Sequence, residues 1–91
     1  MLTYNLHIEL AVANQIYKEV KMMPLTFAVI GEENIIRKIG GKQEVRTHLE
    51  NLGFNVGGAV TVLNTIGGNV IVKVKESRIA ISREMAQKIM V

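Results

Sequence analysis

The sequence predicts a mainly β protein in which five or six short strands close a small barrel around one inserted helix. Hydrophobic residues make up 48% of the 91 residues but aromatic residues only 4%, so valine, isoleucine and leucine must build the core. These side chains favour strands over helices. Glycine pairs and short polar segments divide the apolar runs into strand lengths. Closing such strands into a barrel would remove the exposed edges that they otherwise present.

Size and composition exclude several classes of protein. The length predicts one domain with one modest core. The absence of cysteine excludes disulfides, thiolate nucleophiles and cysteine metal sites. The net charge is +3, but basic and acidic residues are interleaved and aromatic residues are few, which argues against nucleic-acid binding. No apolar run approaches the roughly 20 residues of a membrane helix, so we expect no direct membrane insertion.

Residues 1–22 differ in pattern from the rest of the chain, and we interpret them as an N-terminal extension before a domain at residues 23–91. Apolar residues would fall on both sides of a helix here, as Leu6 and Ile8 illustrate. The codons for Lys18 to Lys21 can resemble a bacterial ribosome-binding site before a start at Met22 or Met23. Two interpretations therefore stay open: an extension that is disordered or derives from an upstream start, and a real N-terminal helix packed on the domain.

Two strands are predicted before the helix. Residues 25–30 form a β-branched and aromatic run between Pro24 and Gly31, followed by a predicted turn at residues 32–34. Residues 35–39 are the second predicted strand. The Gly40–Gly41 pair ends this strand and lets the chain turn into the helix.

A helix is predicted over residues 42–52. Val45, Leu49 and Leu52 follow an i, i+4, i+7 spacing, which makes one face apolar and leaves the rest polar. Gly53 stands where a left-handed residue can end a helix, and Phe54 is placed to fold back onto Leu49. Gly41 is the predicted N-cap.

The remaining strands are short and separated by turns. Alternation puts Val60 and Val62 on one face of a strand at residues 59–63, and Gly67–Gly68 is typical of a hairpin. The next strand alternates most clearly, with Val70, Val72 and Val74 on one face. After a turn at residues 76–77, the sequence predicts a strand at residues 78–81 with Ile79 and Ile81 inward, a helical turn at residues 83–87 capped by Ser82, and a last strand at residues 88–91.

No catalytic or metal site is predicted, and no cofactor. Glu44 and His48 are four residues apart, a spacing common for helix-surface pairs, and no further ligand of a recognised motif is near. Neither Ser77 nor Ser82 lies in a nucleophile elbow. The glycine pairs match neither phosphate-binding motif and are explained by turns. We therefore expect a protein that is not an enzyme and that holds no structural metal.

From residue 24 onward, the order and spacing of several short motifs resemble those of one known family. These are Pro24–Leu25; Gly31 with Ile36 to Gly40; Arg46, Leu49, Leu52, Gly53 and Phe54; Gly57, Val60 and Val62; and Ile79 to Arg83 with Ala86, Ile89 and Val91. Together they resemble the FeoA family, the small ferrous iron transport protein A. The extension has no counterpart in the family pattern, and Gly58 replaces a more restrictive residue.

The resemblance implies an SH3-like barrel and a cytoplasmic accessory of bacterial ferrous iron uptake that acts with the FeoB membrane GTPase transporter through its cytoplasmic part. A similar module forms the C-terminal domain of iron-dependent repressors, so a free-standing interaction or regulatory module is the alternative. We place the partner-binding surface on the helix, its turn and a neighbouring strand. The predicted residues are Arg46, Glu50, Gly53, Phe54 and Arg78. The alternative is that Phe54 is wholly core and that the charges are only solvated.

Overall fold

The structure of the protein, a computed structural model, describes residues 22–91. Both interpretations of residues 1–21 lie outside the described residues. Pro24 lies directly before a single 3-10 turn at Leu25–Phe27, which leads into the sheets.

Within residues 22–91, six strands form two antiparallel sheets, which confirms the mainly β fold. The larger sheet has the order β1-β3-β4-β5, and the smaller one pairs β2 with β6. One helix, α1, joins β2 to β3, and a single helical turn, α2, joins β5 to β6. The elements are β1 (Glu33–Ile35), β2 (Lys38–Ile39), α1 (Gln43–Leu52), β3 (Ala59–Ile66), β4 (Asn69–Val74), β5 (Ser77–Ser82), α2 (Arg83–Ala86) and β6 (Ile89–Met90).

The core consists of aliphatic side chains from both sheets and α1, with one aromatic ring. Leu49 of α1 and Phe54 are fully buried, and Val45 and Leu52 pack against the same cluster. The predicted apolar face of the helix therefore covers the sheet. The other buried residues are Leu25, Ile36, Ile39, Val60, Val62, Val70, Val72, Val74, Ile81, Ala86, Ile89 and Val91.

Two tight hairpins set the register of the larger sheet. In the first, Ile66 pairs with Asn69 around the predicted Gly67–Gly68 turn, and Gly67 has a φ of 58°. In the second, Val74 pairs with Ser77 around Lys75 and Glu76. A bulge between Val62 and Asn64 shifts the pairing of β3 with β4. The predicted inward residues of β4 are all buried.

The smaller sheet brings the two ends of the described chain together. Met23 N donates to Val91 O at 2.9 Å, and Val91 N donates to Met23 O at 2.8 Å. A bridge between Pro24 and Met90 extends this pairing beside β2 and β6.

The strand predicted at residues 25–30 is wrong. The chain there forms the 3-10 turn and a loop in which Leu25 is buried while Phe27, Val29 and Ile30 are exposed. A β-branched composition supplies strand propensity but no pairing partner. In this loop Gly31 N donates to Val62 O at 2.8 Å, which ties the end of the loop to β3.

The predicted second strand, residues 35–39, is divided, and the turn predicted at residues 32–34 is also wrong. Glu33 to Ile35 form β1, because Glu33 and Asn34 pair with Thr61 and Val60. Ile36 then leaves the ladder: its N–H donates to Gly58 O at 2.9 Å, and its carbonyl accepts from Gly57 N at 2.8 Å.

The observed ends of the helices lie closer to the predicted ends than the early strands do to their predicted positions. Lys42, not Gly41, is the N-cap of α1, and it makes no side-chain capping bond. Ser82 caps α2 as predicted, its Oγ accepting from Met85 N at 3.2 Å. The last strand is confirmed, although it covers only Ile89 and Met90.

Candidate interaction site

The end of α1 is held by the predicted glycine stop. Gly53 has a φ of 109°, and its N–H donates to Glu50 O at 3.0 Å. Phe54 N donates to Leu49 O at 3.0 Å, which completes a Schellman ending. Phe54 joins the core cluster that contains Leu49. The buried ring of Phe54 therefore anchors the turn after α1 to the core.

The loop after this turn is also tied down by backbone bonds. Gly58 N donates to Asn55 O at 2.9 Å, and both Gly57 and Gly58 bond to Ile36. A Cβ added at Gly58 would lie 3.0 Å from Asn55 O, so a side chain here would crowd this carbonyl unless the loop shifted by a few tenths of an ångström. The loop thus holds a defined conformation through its backbone bonds.

A row of polar side chains crosses the outer face of the larger sheet. Glu33 pairs with Thr61, Thr61 with Lys73, and Lys73 with Arg78, one residue from each of the four strands. Adjacent members of such a row can interact across the strands. The row carries one carboxylate and, at its β5 end, two cations.

A groove lies between this row and the turn after α1. It encloses about 220 Å³, below the roughly 300–1,000 Å³ of most small-molecule sites. Its walls carry both charges, and its size suits a few side chains of a protein partner. The groove is lined by Glu33, Ala59, Thr61, Lys73, Val74 and Lys75 of the sheet and its turn, and by Gly53, Asn55 and Gly58 after the helix.

The predicted partner-binding residues differ in their exposure and in whether they line the groove. Gly53 is half-buried and lines the groove, and Glu50 and Arg78 are exposed. Arg78 does not line the groove but pairs with Lys73, which does. Phe54 is fully buried, so its side chain cannot contact a partner and its role is to support the turn.

Arg46 is less available than the sequence suggests. It is half-buried, its Nη2 donates to Gln43 Oε1 at 2.7 Å, and its Nε is buried without a hydrogen-bond partner in the structure. Gln43 in turn donates from Nε2 to Thr47 Oγ1 at 3.3 Å. Arg46 therefore belongs partly to the polar side of α1 and partly to its packing.

Glu33, Lys73 and Lys75 are groove residues that sequence reasoning missed. Lys73 alternates with the inward valines of β4, so its outward direction was readable from the sequence. The place of Glu33 in the groove was not readable, because the pairing of β1 with β3 joins residues far apart in the chain. Lys75 has a φ of 55° in a turn, where such a value is uncommon for a residue with a side chain.

A second groove of about 250 Å³ lies on another part of the surface, where Ile30, Thr65 and Arg83 meet. Close by in sequence, Phe27 is 73% exposed and Val29 is 63% exposed. This second groove contains none of the predicted partner-binding residues.

Among residues 22–91, the sequence candidates for catalysis or metal binding are exposed or engaged in capping. Within residues 22–91, no three His, Cys, Asp or Glu side chains are grouped so that they could hold a metal. His48 and Glu44 are both exposed on α1. Ser82 Oγ is used as a helix cap. In the same part of the chain, no helix has the length and hydropathy needed to cross a membrane.

Comparison with known proteins places residues 23–91 in one family, whose model is described as the FeoA domain. The chain is 43% identical over 70 residues to a protein of Methanocaldococcus jannaschii named "Putative Fe(2+) transport protein A", covering 77% of this chain and 85% of that protein. Among solved structures, it matches an iron uptake regulatory protein (FeoA) with 30% identity and a TM-score of 0.70, covering 77% of this chain and 93% of that one.

The fold also occurs in a different functional context. A manganese-dependent transcriptional repressor matches with a TM-score of 0.71 and 16% identity, covering 78% of this chain and 41% of that protein. At this identity the match shows a shared fold, and it confirms the SH3-like architecture.

Proposed function

Because the chain belongs to the FeoA family of ferrous iron transport proteins, we propose that it is a cytoplasmic accessory protein that binds the cytoplasmic part of a FeoB-type GTPase transporter. The observation that carries this proposal is the family match over residues 23–91. The charged groove beside the helix stop supports a role in binding.

The proposed contact is the groove together with the exposed end of α1 and β5. Glu50 and Arg78 supply opposite charges on exposed positions, and Gly53 brings the backbone to the wall of the groove. A contact at the lower end of the standard interface size would bury about 600–800 Å² on each partner. Exposed charges of this kind act mainly on the encounter rate and on specificity.

Charge reversal tests this surface. The double variant Glu50→Lys/Arg78→Glu should weaken binding to the soluble GTPase domain by about tenfold, which corresponds to about 1.4 kcal/mol. Folding should be preserved, because exposed charges contribute little to stability. NMR titration or calorimetry with the GTPase domain, in each nucleotide state, measures the change.

The matched control is Lys42→Glu/Glu84→Lys, which also leaves the net charge unchanged and also alters two exposed residues. It should bind as the wild type does. Equal binding by both double variants would remove the proposed contact surface. Failure of the wild type to bind in any nucleotide state would reject this domain as the partner and favour a regulatory module of the kind that shares its fold with the repressor.

A further inference from the structure

Strand β5 is an open edge of the larger sheet. It pairs with β4 on one side, and no other strand of the described chain pairs with its second side. Its residues Arg78 and Ala80 are exposed. Over residues 22–91, neither makes a backbone hydrogen bond outside the ladder with β4. An edge of this kind presents unpaired backbone groups to which another strand can add.

The pairing register identifies which backbone groups point outward. Val74 and Ser77 close a two-residue turn, so they form a hydrogen-bonded pair, and such pairs alternate along an antiparallel ladder. Ile79 and Ile81 therefore bond to β4. Arg78 and Ala80 direct both their N–H and C=O groups to the open side, and Ser82 directs its N–H there.

The charges at this edge act against pairing with a second copy. Two β5 strands crossing antiparallel at Arg78 would place the Arg78 side chains of the two copies directly opposite each other. Lys73 lies directly beside Arg78 on the same face. Like charges so close across a strand pair are unfavourable. An added strand with acidic side chains would instead meet Arg78 and Lys73.

From this geometry we infer that β5 binds an extended acidic segment of another protein by strand addition. The segment becomes a fifth strand beside β5, and its outward carboxylates extend the row that ends at Lys73 and Arg78. Its inward side chains cover Ile79, which is only half-buried at this edge. The opposite edge shows that a short strand suffices, because β1 pairs with β3 over only three residues.

This arrangement defines the chemistry of the segment. The residue opposite Arg78 points outward toward Arg78 and Lys73 and should be acidic, and the next outward residues lie on the same face. Residues opposite Ile79 and Ile81 point inward and should be β-branched. The segment therefore alternates acidic and apolar residues. Strand addition at β5 does not depend on which protein carries the segment, and it can be tested without a transporter.

The test uses the full chain labelled with 15N and the peptide acetyl-Glu-Val-Glu-Val-Glu-amide. Saturable shifts of the amides of Arg78, Ala80 and Ser82 are expected, with little change on α1. The matched peptide acetyl-Lys-Val-Lys-Val-Lys-amide should bind at least about tenfold more weakly because its charges repel Arg78. No shift at millimolar acidic peptide, or shifts confined to other surfaces, would overturn the inference.

Two variants separate backbone pairing from charge. Ala80→Pro removes an outward N–H and leaves the ladder with β4 intact, since proline is tolerated at such edge positions. Ala80→Pro should weaken binding of the acidic peptide about tenfold. Arg78→Glu should do the same and should also improve binding of the basic peptide, which keeps the test decisive if the proline variant does not fold. Unchanged affinity in Arg78→Glu would refute the acidic specificity.

Self-association gives an independent check. If concentrating the protein alone shifts the same β5 amides and raises the sedimentation coefficient, a second copy occupies the edge and the inference fails. A monomer whose β5 amides do not depend on concentration is the result that the proposal requires.

Discussion

At the scale of single residues, Leu49 and Phe54 connect the helix to the core. Both are fully buried, and the bond from Phe54 N to Leu49 O holds them at the same end of α1. No polar or charged residue of the described chain is buried, so packing is the main source of stability there. The free energy of unfolding should therefore respond strongly to the loss of a buried methyl group.

Leu49→Ala tests this dependence. It should lower the free energy of unfolding by about 2–5 kcal/mol, because it removes a fully buried side chain and leaves a cavity. Val56→Ala is the control, since Val56 is 64% exposed and its truncation should cost less than about 0.5 kcal/mol. Urea unfolding measures both. A loss under half a kcal/mol for Leu49→Ala would show that α1 is not docked on the core.

At the scale of elements, the glycine that ends α1 determines where the chain leaves the helix and begins to line the groove. Gly53 needs its left-handed conformation to make the turn, and the nearest atom to an added Cβ, Val74 Cγ1, lies 3.7 Å away. Space is therefore sufficient, and the conformational strain of a side chain at this φ is the dominant cost.

Gly53→Ala should thus destabilise the protein by about 1–2 kcal/mol without a steric clash. Gly68→Ala is matched to it, because Gly68 lies in a turn, has no positive φ and has nothing near the added Cβ. Gly68→Ala should change the free energy of unfolding by less than about 0.5 kcal/mol. Similar losses in the two variants, measured by urea unfolding, would contradict the assignment of strain to Gly53.

The elements that sequence reasoning predicted correctly depend on local signals. The helix, its stop, the Gly67–Gly68 hairpin and the Ser82 cap are each specified within a few residues. The early strands are specified by distant partners: Glu33 is a turn residue by composition but pairs with Thr61. The groove depends on the same distant pairing, so Lys73 could be predicted to face outward but not to lie near Gly53.

At the scale of the whole molecule, charged side chains are spread over the surface, and the core beneath them is small and aliphatic. The sequence contains no cysteine and only two histidines, and His48 is exposed on α1. The described acidic side chains are not grouped into a metal site. Ferrous iron binds best to several converging nitrogen or oxygen ligands. The described residues therefore offer no group of converging ligands for this ion.

We accordingly predict at best millimolar ferrous affinity, on the order of the weak end of oxygen-ligand sites. Anaerobic calorimetry with ferrous iron measures it, and His48→Ala serves as the comparison, because the weak heat of binding should not depend on this exposed side chain. A stoichiometric micromolar site would contradict the prediction and make the protein itself an iron carrier.

The meeting of Met23 with Val91 has a consequence for how fast the domain can fold. Two backbone bonds join residues at opposite ends of the described chain, and β2 with β6 extends the same contact. Contacts between distant residues carry the largest loop-closure entropy and slow the folding transition. In a circular permutant that links these ends and opens the chain at Gly67–Gly68, the most distant contact would become the most local one, while β3 and β4 would have to meet across the whole chain.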